Sequence, residues 1–189
     1  MSLPAFAPVD LAKSYRLFNH GPVTLVTAAH GERRNVMAAS WAMPLDFDPP
    51  KVSLVIDRNA YTRELMEAAG TFALNIPTRA MAEQVLAVGS RSGREGDKFA
   101  ALGLETFTGQ DPELPLVAGC CAWLECRIIP EPRSQSAYDL FVAEVTAAWA
   151  DPSIYSEDRW HFASPQQRTL HYVAGGTFFA TGDAFSVGD

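Results

Sequence analysis

The amino-acid sequence predicts a mainly β fold of the α+β class, a small and mostly antiparallel barrel with short inserted helices. Three observations favour this class. At least six runs of the chain are rich in β-branched residues or alternate apolar with polar residues, as strands do. Turn residues join several of these runs directly, which indicates hairpins. Helical spacing is limited to two or three short segments, whereas a parallel sheet needs a helix after almost every strand.

The first predicted elements are a short helix and a hairpin. The helix ends before Gly21, where a Gly-Pro pair interrupts the chain. Its apolar residues are Leu11, Tyr15, Leu17 and Phe18. Residues 22–28, PVTLVTA, then form a predicted strand that returns as residues 35–40, NVMAAS, after a polar turn.

A strand and a helix follow the hairpin. Residues 51–57, KVSLVID, alternate as a strand does, with one apolar face made of Val52, Leu54 and Ile56. Residues 61–70, YTRELMEAAG, have helical spacing. We expect Thr62 to cap this helix and Gly70 to end it.

The next pair is again a strand and a helix. Residues 71–77, TFALNIP, are rich in strand-forming residues and end at a proline. Thr78 is then predicted to cap a second amphipathic helix. The inward face of that helix is expected to contain Met81, Val85 and Val88.

The two longest predicted strands lie in the second half of the chain, at 120–133 and 138–151. A turn-like sequence separates them, so we expect them to pair antiparallel. The double glycine at 175–176 predicts a turn in the tail. Because the sequence has no internal repeat and no change in composition, we expect one domain over residues 1–189, with its core at about 20–180.

Composition narrows the possible partners. A formal net charge of −7 disfavours nucleic acid, which selects a basic face. It does not disfavour a small ligand with a phosphate group, since such a ligand responds to local charge. No apolar run approaches the roughly 20 residues of a membrane helix, and no secretory signal is visible. We therefore expect a cytoplasmic protein that binds no membrane.

The common signatures of side-chain catalysis are missing from the sequence. It contains no dinucleotide-binding glycine motif, no P-loop and no nucleophile elbow. The four histidines and three cysteines lack metal-binding spacing, and we expect the cysteines to be buried thiols. These cysteines are Cys120, Cys121 and Cys126. We predict no catalytic side chain and no metal site, so any redox chemistry would belong to a cofactor.

One segment suits a flat ligand. In residues 40–57, SWAMPLDFDPPKVSLVID, Trp41 and Met43 lie on a predicted connection between strands. Either the backbone at the strand end binds the rim of a planar ring, or the two side chains belong to the core. Taken alone, Trp41 and Met43 favour the second alternative, in which their side chains pack in the core.

Two further segments suit a phosphate group. Residues 57–62, DRNAYT, pass from a strand to a helix N-terminus, where free N–H groups favour anions. Residues 90–99, SRSGREGDKF, place three cations close together among serines and glycines. Those cations are Arg91, Arg94 and Lys98. A capped helix and a solvated surface loop are the plainer explanations of these two segments.

Together and in this order, the segments resemble the flavin reductase-like family, which includes the flavoredoxins. The resemblance continues through residues 124–127, LECR, and through YDLFVAEV to LHYVAGGTF at 170–178, so it spans about residues 20–180. It implies an FMN-binding split β-barrel, usually a homodimer, with the flavin held non-covalently between the barrel and its partner.

The resemblance also implies site residues. By this resemblance, the flavin ring contacts Ser40, Trp41, Ala42 and Met43. By the same resemblance, the ribityl and phosphate end of the flavin is bound by Asp57, Arg58, Asn59 and Thr62. A loop closing over the phosphate contains Ser92, Gly93 and Lys98, and His171 falls near the flavin or the nicotinamide entry side. Phe47 and the Pro49-Pro50 turn are then expected to be structural. A tail histidine bonded to backbone is the plainer explanation of His171.

The implied activity is hydride transfer from NAD(P)H to FMN and onward delivery of electrons. The protein would then serve as the reductase component of a monooxygenase or as an electron carrier for a redox partner. A flavin-binding sensor or store without turnover is one alternative. A pyridoxamine-phosphate oxidase-like enzyme is another, against which the sequence lacks an additional arginine-rich site. A β-barrel without a ligand is the last.

Overall fold

The computed structural model describes residues 22–188, and antiparallel strands dominate it. The strands are β1 Thr24–His30, β2 Arg33–Ala39, β3 Ala42–Phe47, β4 Pro50–Val55, β5 Thr71–Ile76, β6 Thr106–Thr108, β7 Pro115–Val117, β8 Ala122–Ile129, β9 Leu140–Ala150, β10 Tyr155–Ser156, β11 Arg159–Trp160, β12 Leu170–Ala174 and β13 Thr177–Ala180. The helices are α1 Tyr61–Ala69, α2 Ala82–Gly89, α3 Lys98–Leu102 and α4 Pro132–Tyr138. The helix expected before Gly21 lies outside the described residues.

Seven strands form one antiparallel sheet in the order β2-β1-β5-β8-β9-β4-β3. Strands β2 and β3 therefore lie at opposite edges, although only Ser40 and Trp41 separate them in the chain. Because three residue steps span about 11 Å at most, the sheet must curl until its two edges approach each other. The described edges are not hydrogen-bonded to one another, so the result is a split barrel. The predicted mainly β, α+β class is confirmed.

Strand pairing follows the predicted hairpins. β1 and β2 pair from Thr24 with Ala39 to His30 with Arg33, across a two-residue turn. β8 and β9 also pair antiparallel, as predicted. The segment between them was expected to be a turn, but it forms helix α4, with Pro132 in its first turn. Proline is tolerated there because its missing N–H would have no partner within the helix, so a proline-rich sequence does not exclude a helix start.

Helix α1 differs from the prediction at its N-terminus. Ala60 is the N-cap residue, and Thr62 lies inside the first turn. The Thr62 hydroxyl is buried and accepts a hydrogen bond from Asn35 Nδ2 (2.8 Å). The predicted Thr62 cap is therefore wrong, because this side chain faces β2 instead of the helix end. Gly70 ends the helix with φ of 75°, as predicted.

Helix α2 is preceded by a one-turn 3₁₀ helix, Arg79–Met81, and Thr78 is the N-cap residue of that turn. Helix α2 follows directly at Ala82, so the predicted cap position is confirmed. The Thr78 side chain makes no capping hydrogen bond, so the capping interaction expected of it is absent. The inward face is as predicted, with Met81, Val85 and Val88 buried.

The segment predicted to connect two strands is itself a strand. β3 pairs with β4 and forms an outer edge of the sheet. Phe47, expected to have a structural role in the core, is 96% exposed, so that expectation is wrong. Three other apolar residues on or next to this edge strand are also exposed, and a bulge between Pro44 and Asp46 interrupts its alternation. These are Trp41, Met43 and Leu45.

The core consists of two main clusters, one on each face of the sheet near β2. One packs against α1 and includes Leu65, Met66, Phe72 and Phe141. The other packs against α2 and α3 and includes Val36, Val85, Phe99 and Leu170. The three cysteines are free and buried, as predicted. Between residues 22 and 188, none of the helices is long and apolar enough to span a membrane.

Candidate functional site

The free edge of β2 exposes backbone groups to a ligand. In an antiparallel pair, successive residues turn their N–H and C=O groups alternately toward the neighbouring strand and away from it. The Val36 carbonyl accepts a hydrogen bond from Lys98 Nζ (3.0 Å), which lies outside the sheet, so the Val36 groups face away from β1. By the same alternation, the backbone groups of Ala38 also face outward, and Ser40 follows at the bend that ends the strand.

A pocket of about 230 Å³ opens beside this edge. Ala38 and Ser40 line one wall, and the C-terminal turns of α2 line another. Tyr172 and Phe178, from the tail hairpin, complete it with two rings in T-shaped contact, 5.2 Å between centroids. A pocket with hydrogen-bonding backbone along one wall and apolar groups on the others suits a planar ring with a polar rim.

The turn at 57–62 is ordered by its own hydrogen bonds. Asp57 Oδ1 accepts from the Asn59 N–H (2.7 Å), and the Asp57 carbonyl accepts from the Ala60 N–H (2.9 Å). The Arg58 side chain remains 62% exposed, 3.6 Å from Asp139 Oδ1. Asp57, Arg58 and Asn59 therefore lie at the surface, next to the start of α1, where they are accessible to a ligand.

Arg63 supports this turn from the interior. Its side chain is 8% exposed and donates to the Ile56 carbonyl (3.2 Å), Asp139 Oδ1 (2.6 Å) and the Gln135 carbonyl (2.9 Å). The guanidinium also lies over the Phe141 ring, 5.0 Å from its centroid. The hydrogen bond from Arg63 lowers the pKa of Asp139. Arg63 could not be predicted from the sequence, since an arginine in a first helical turn is usually solvated.

The loop at 90–97 lies against α1 and β2. Arg94 donates to Glu64 Oε2 (2.9 Å) and lies over the Tyr61 ring, 5.0 Å from its centroid. Arg34 donates to Asp97 Oδ2 (2.9 Å). The structure thus brings the two predicted phosphate-binding segments together at the N-terminal turn of α1.

Lys98 follows this loop and is buried. Only 6% of it is exposed, and its ammonium donates to the Val36 carbonyl and to the Val88 carbonyl (2.9 Å). Burial lowers the pKa of Lys98. Its hydrogen bonds tie the β2 edge to the last turn of α2. Arg91, in contrast, is exposed and has no hydrogen-bond or ion-pair partner within residues 22–188.

Asn35 lies under the same loop, where β2, α1 and the loop meet. Its side chain is 3% exposed, and its Oδ1 has no hydrogen-bond partner among the residues that the structure describes. Gly93 packs directly on this amide, because a Cβ at position 93 would overlap Asn35 Oδ1. In the sequence, Asn35 is marked only as a polar residue at the start of an otherwise apolar strand.

The remaining predicted residues take varied positions. The Trp41 carbonyl accepts from the Val55 N–H (3.0 Å), which joins the start of β3 to β4, and Ala42 is half-buried. Ser92 is exposed, and its Oγ accepts from the Arg94 N–H (3.2 Å). His171 lies on β12 between two core residues, so alternation turns its side chain to the opposite face. The neighbouring Tyr172 reaches the pocket instead.

These features define a class of protein, a split barrel with a ring-binding pocket at a free sheet edge and a cationic loop beside a helix N-terminus. The site fits FMN. Outward backbone groups suit the polar rim of its ring, and the unpaired Asn35 Oδ1 suits a hydroxyl. The exposed Arg91 and Arg58 suit a phosphate.

The chain belongs to the flavin reductase-like family, because residues 16–176 match the flavin reductase like domain. It is 42% identical to the uncharacterized protein YddH of Escherichia coli, over 97% of this chain and 98% of that protein. The predicted family is therefore confirmed.

Two solved structures support the same assignment. The FMN-binding domain of a flavin reductases-like enzyme from Shewanella baltica is 47% identical, with a TM-score of 0.87 over 96% of this chain and 97% of that chain. The flavoredoxin of Desulfovibrio vulgaris is 25% identical, with a TM-score of 0.78 over 89% and 90% of the two chains. The split-barrel fold is shared with both.

Proposed function

We propose that the protein is an FMN-dependent oxidoreductase that takes a hydride from NAD(P)H and passes electrons to a downstream acceptor. That acceptor is a monooxygenase component or another redox partner protein. The observation that carries the proposal is the free edge of β2 at Ala38 and Ser40, which borders an aromatic pocket in a chain of the flavin reductase-like family.

When bound, FMN supplies the hydride-accepting ring, and the protein supplies its position. Backbone groups of Ala38 and Ser40 would hydrogen-bond the ring rim, and Tyr172 and Phe178 would exclude water from one side. Lys98 occupies the β2 edge at Val36, so the ring is confined to the part of the edge beyond it. This site needs no side-chain acid or base, in agreement with the absence of a predicted catalytic residue.

The phosphate end of the ligand would be held at the start of α1. The exposed donors of the 57–62 turn face solvent there, and the 90–97 loop, which contacts α1 through Arg94, contributes the exposed Arg91. The N-terminal turn of α1 contributes free N–H groups and partial positive charge. Arg63 holds the turn in position through Ile56 and Asp139.

The test is an anaerobic titration of the FMN-loaded protein with NADH and with NADPH. We expect one or both to bleach the visible flavin band, and air to restore it. A flavin that stays bound and oxidised would contradict the proposal and favour a sensor or store. Turnover of pyridoxamine phosphate would favour the oxidase-like alternative instead.

We also propose that the protein is a homodimer that buries β3. Four exposed apolar residues lie on or next to this unpaired edge strand, and monomers seldom leave such an edge strand uncovered. Phe47 is the most exposed of them.

Light scattering after size exclusion measures the mass in solution. We expect the mass of two chains for the native protein and of one chain for Phe47→Glu. The matched control is Phe185→Glu, which changes a similarly exposed phenylalanine in the tail and should stay dimeric. A native protein with the mass of one chain would disprove the dimer.

A further inference from the structure

Asn35 contains a buried hydrogen-bond acceptor that lacks a donor. Its Nδ2 donates to Thr62 Oγ1, but its Oδ1 has no partner within residues 22–188. Buried amide oxygens are nearly always paired, because an unpaired one loses its water without compensation. The fully buried Asn75 shows the usual arrangement, since its Nδ2 donates to the Leu25 carbonyl and its Oδ1 accepts from the Val117 N–H.

The unpaired oxygen lies between two segments of the proposed site. Thr62 belongs to the first turn of α1, and Gly93 belongs to the 90–97 loop that covers Asn35. Exposed ion pairs from Arg94 and Asp97 hold the loop in place. Ion pairs of this kind stabilise only weakly, so the loop can withdraw from Asn35 when a ligand enters.

The position of Asn35 along β2 selects the part of the ligand that it meets. Asn35 precedes Ala38 by three residues, which is about 10 Å of strand. A ring bound at Ala38 and Ser40 therefore leaves Asn35 beside the chain attached to the ring. Hydroxyl groups of that chain can donate to Oδ1, whereas phosphate oxygens are acceptors and do not suit it.

We infer that Asn35 Oδ1 accepts a hydrogen bond from a ribityl hydroxyl of the bound flavin, an inference that rests on the proposed flavin site. Asn35 then determines specificity for flavins that carry the hydroxylated chain. Its Nδ2 remains on Thr62, so one buried amide links the ligand to the first turn of α1.

The experiment compares three flavins that share one ring. FMN carries the ribityl phosphate, riboflavin carries the ribityl chain alone, and lumiflavin carries a methyl group in its place. Dissociation constants are measured by quenching of flavin fluorescence. In Asn35→Ala we expect about tenfold weaker binding of FMN and riboflavin, as for one lost hydrogen bond, and unchanged binding of lumiflavin.

A matched variant separates this contact from a general structural effect. Asn35→Asp keeps an oxygen acceptor at the same position, so we expect it to retain the preference for riboflavin over lumiflavin. If Asn35→Ala does not fold, as judged by thermal unfolding without ligand, Asn35→Leu replaces it, because leucine has a similar volume and no acceptor, and the same result is expected.

Two outcomes would overturn the inference while leaving the proposed function intact. One is that Asn35→Ala weakens the binding of all three flavins equally, which would assign Asn35 a structural role through Thr62. The other is unchanged binding of all three. A native protein that binds none of the flavins would instead disprove the flavin site itself.

Discussion

Replacing Arg63 with methionine is expected to lower the free energy of unfolding by about 3 kcal/mol, mainly because carbonyl acceptors lose their donor. The substitution leaves the carbonyls of Ile56 and Gln135 without this donor and removes the ion pair with Asp139. Methionine fills much of the volume beside Phe141 but offers no hydrogen bond. Chemical denaturation of the native protein and the variant measures the difference.

Arg58→Met is the matched control, because it removes an arginine five positions earlier in the same region. Arg58 is mostly exposed, and its contacts with Ser136 and Asp139 are long, at 3.4 and 3.6 Å. We expect a change within about 0.5 kcal/mol. Equal effects of the two substitutions would show that burial of Arg63 does not contribute as described.

The decrease in the free energy of unfolding caused by Arg63→Met should also depend on pH. The hydrogen bond from Arg63 lowers the pKa of Asp139 from its ordinary value of 3.8. A carboxyl group with a lower pKa in the folded state stabilises above the unfolded value, and this contribution disappears as pH falls through the folded value. The difference between native protein and variant should therefore shrink on acidification below 3.8, without vanishing, because the carbonyl contacts remain.

The sheet could be predicted where local pattern and pairing agree. The β1–β2 hairpin has β-branched strands and a short polar turn, and both features point to the same register. The α4 helix could not be predicted, since proline in a first helical turn and proline in a loop look alike in sequence. Strand β3 was also missed, because its apolar residues face outward instead of toward a core.

The site segments could be predicted as a set, but the roles of single residues depend on burial. DRNAYT and SRSGREGDKF do meet at α1, as the resemblance implied. Within them, Thr62 and Lys98 are buried, whereas Arg58 and Arg91 are exposed. All four carry groups suited to phosphate, so composition cannot separate them. Only the tertiary packing shows which side chains already have protein partners.

That distinction gives opposite expectations for the two cations of the loop region, Lys98 and Arg91. Lys98→Met should lower the free energy of unfolding by about 3 kcal/mol, because it leaves the buried carbonyls of Val36 and Val88 without donors. The preference of the protein for FMN over riboflavin should stay unchanged, since the ammonium is already directed at the backbone. Denaturation and fluorescence titration measure the two quantities.

Arg91→Gln is the matched substitution. It should leave the stability nearly unchanged and reduce the preference for FMN over riboflavin. Arg91 is exposed and unpaired within residues 22–188, so stability should change by no more than about 0.5 kcal/mol. The preference for FMN over riboflavin should fall about tenfold, as for the loss of one charged hydrogen bond to phosphate. If Lys98→Met lost that preference while Arg91→Gln kept it, the phosphate would belong to Lys98, as the sequence resemblance first implied. The hydrogen bonds of Lys98 to Val36 and Val88 would then have to break when the ligand binds.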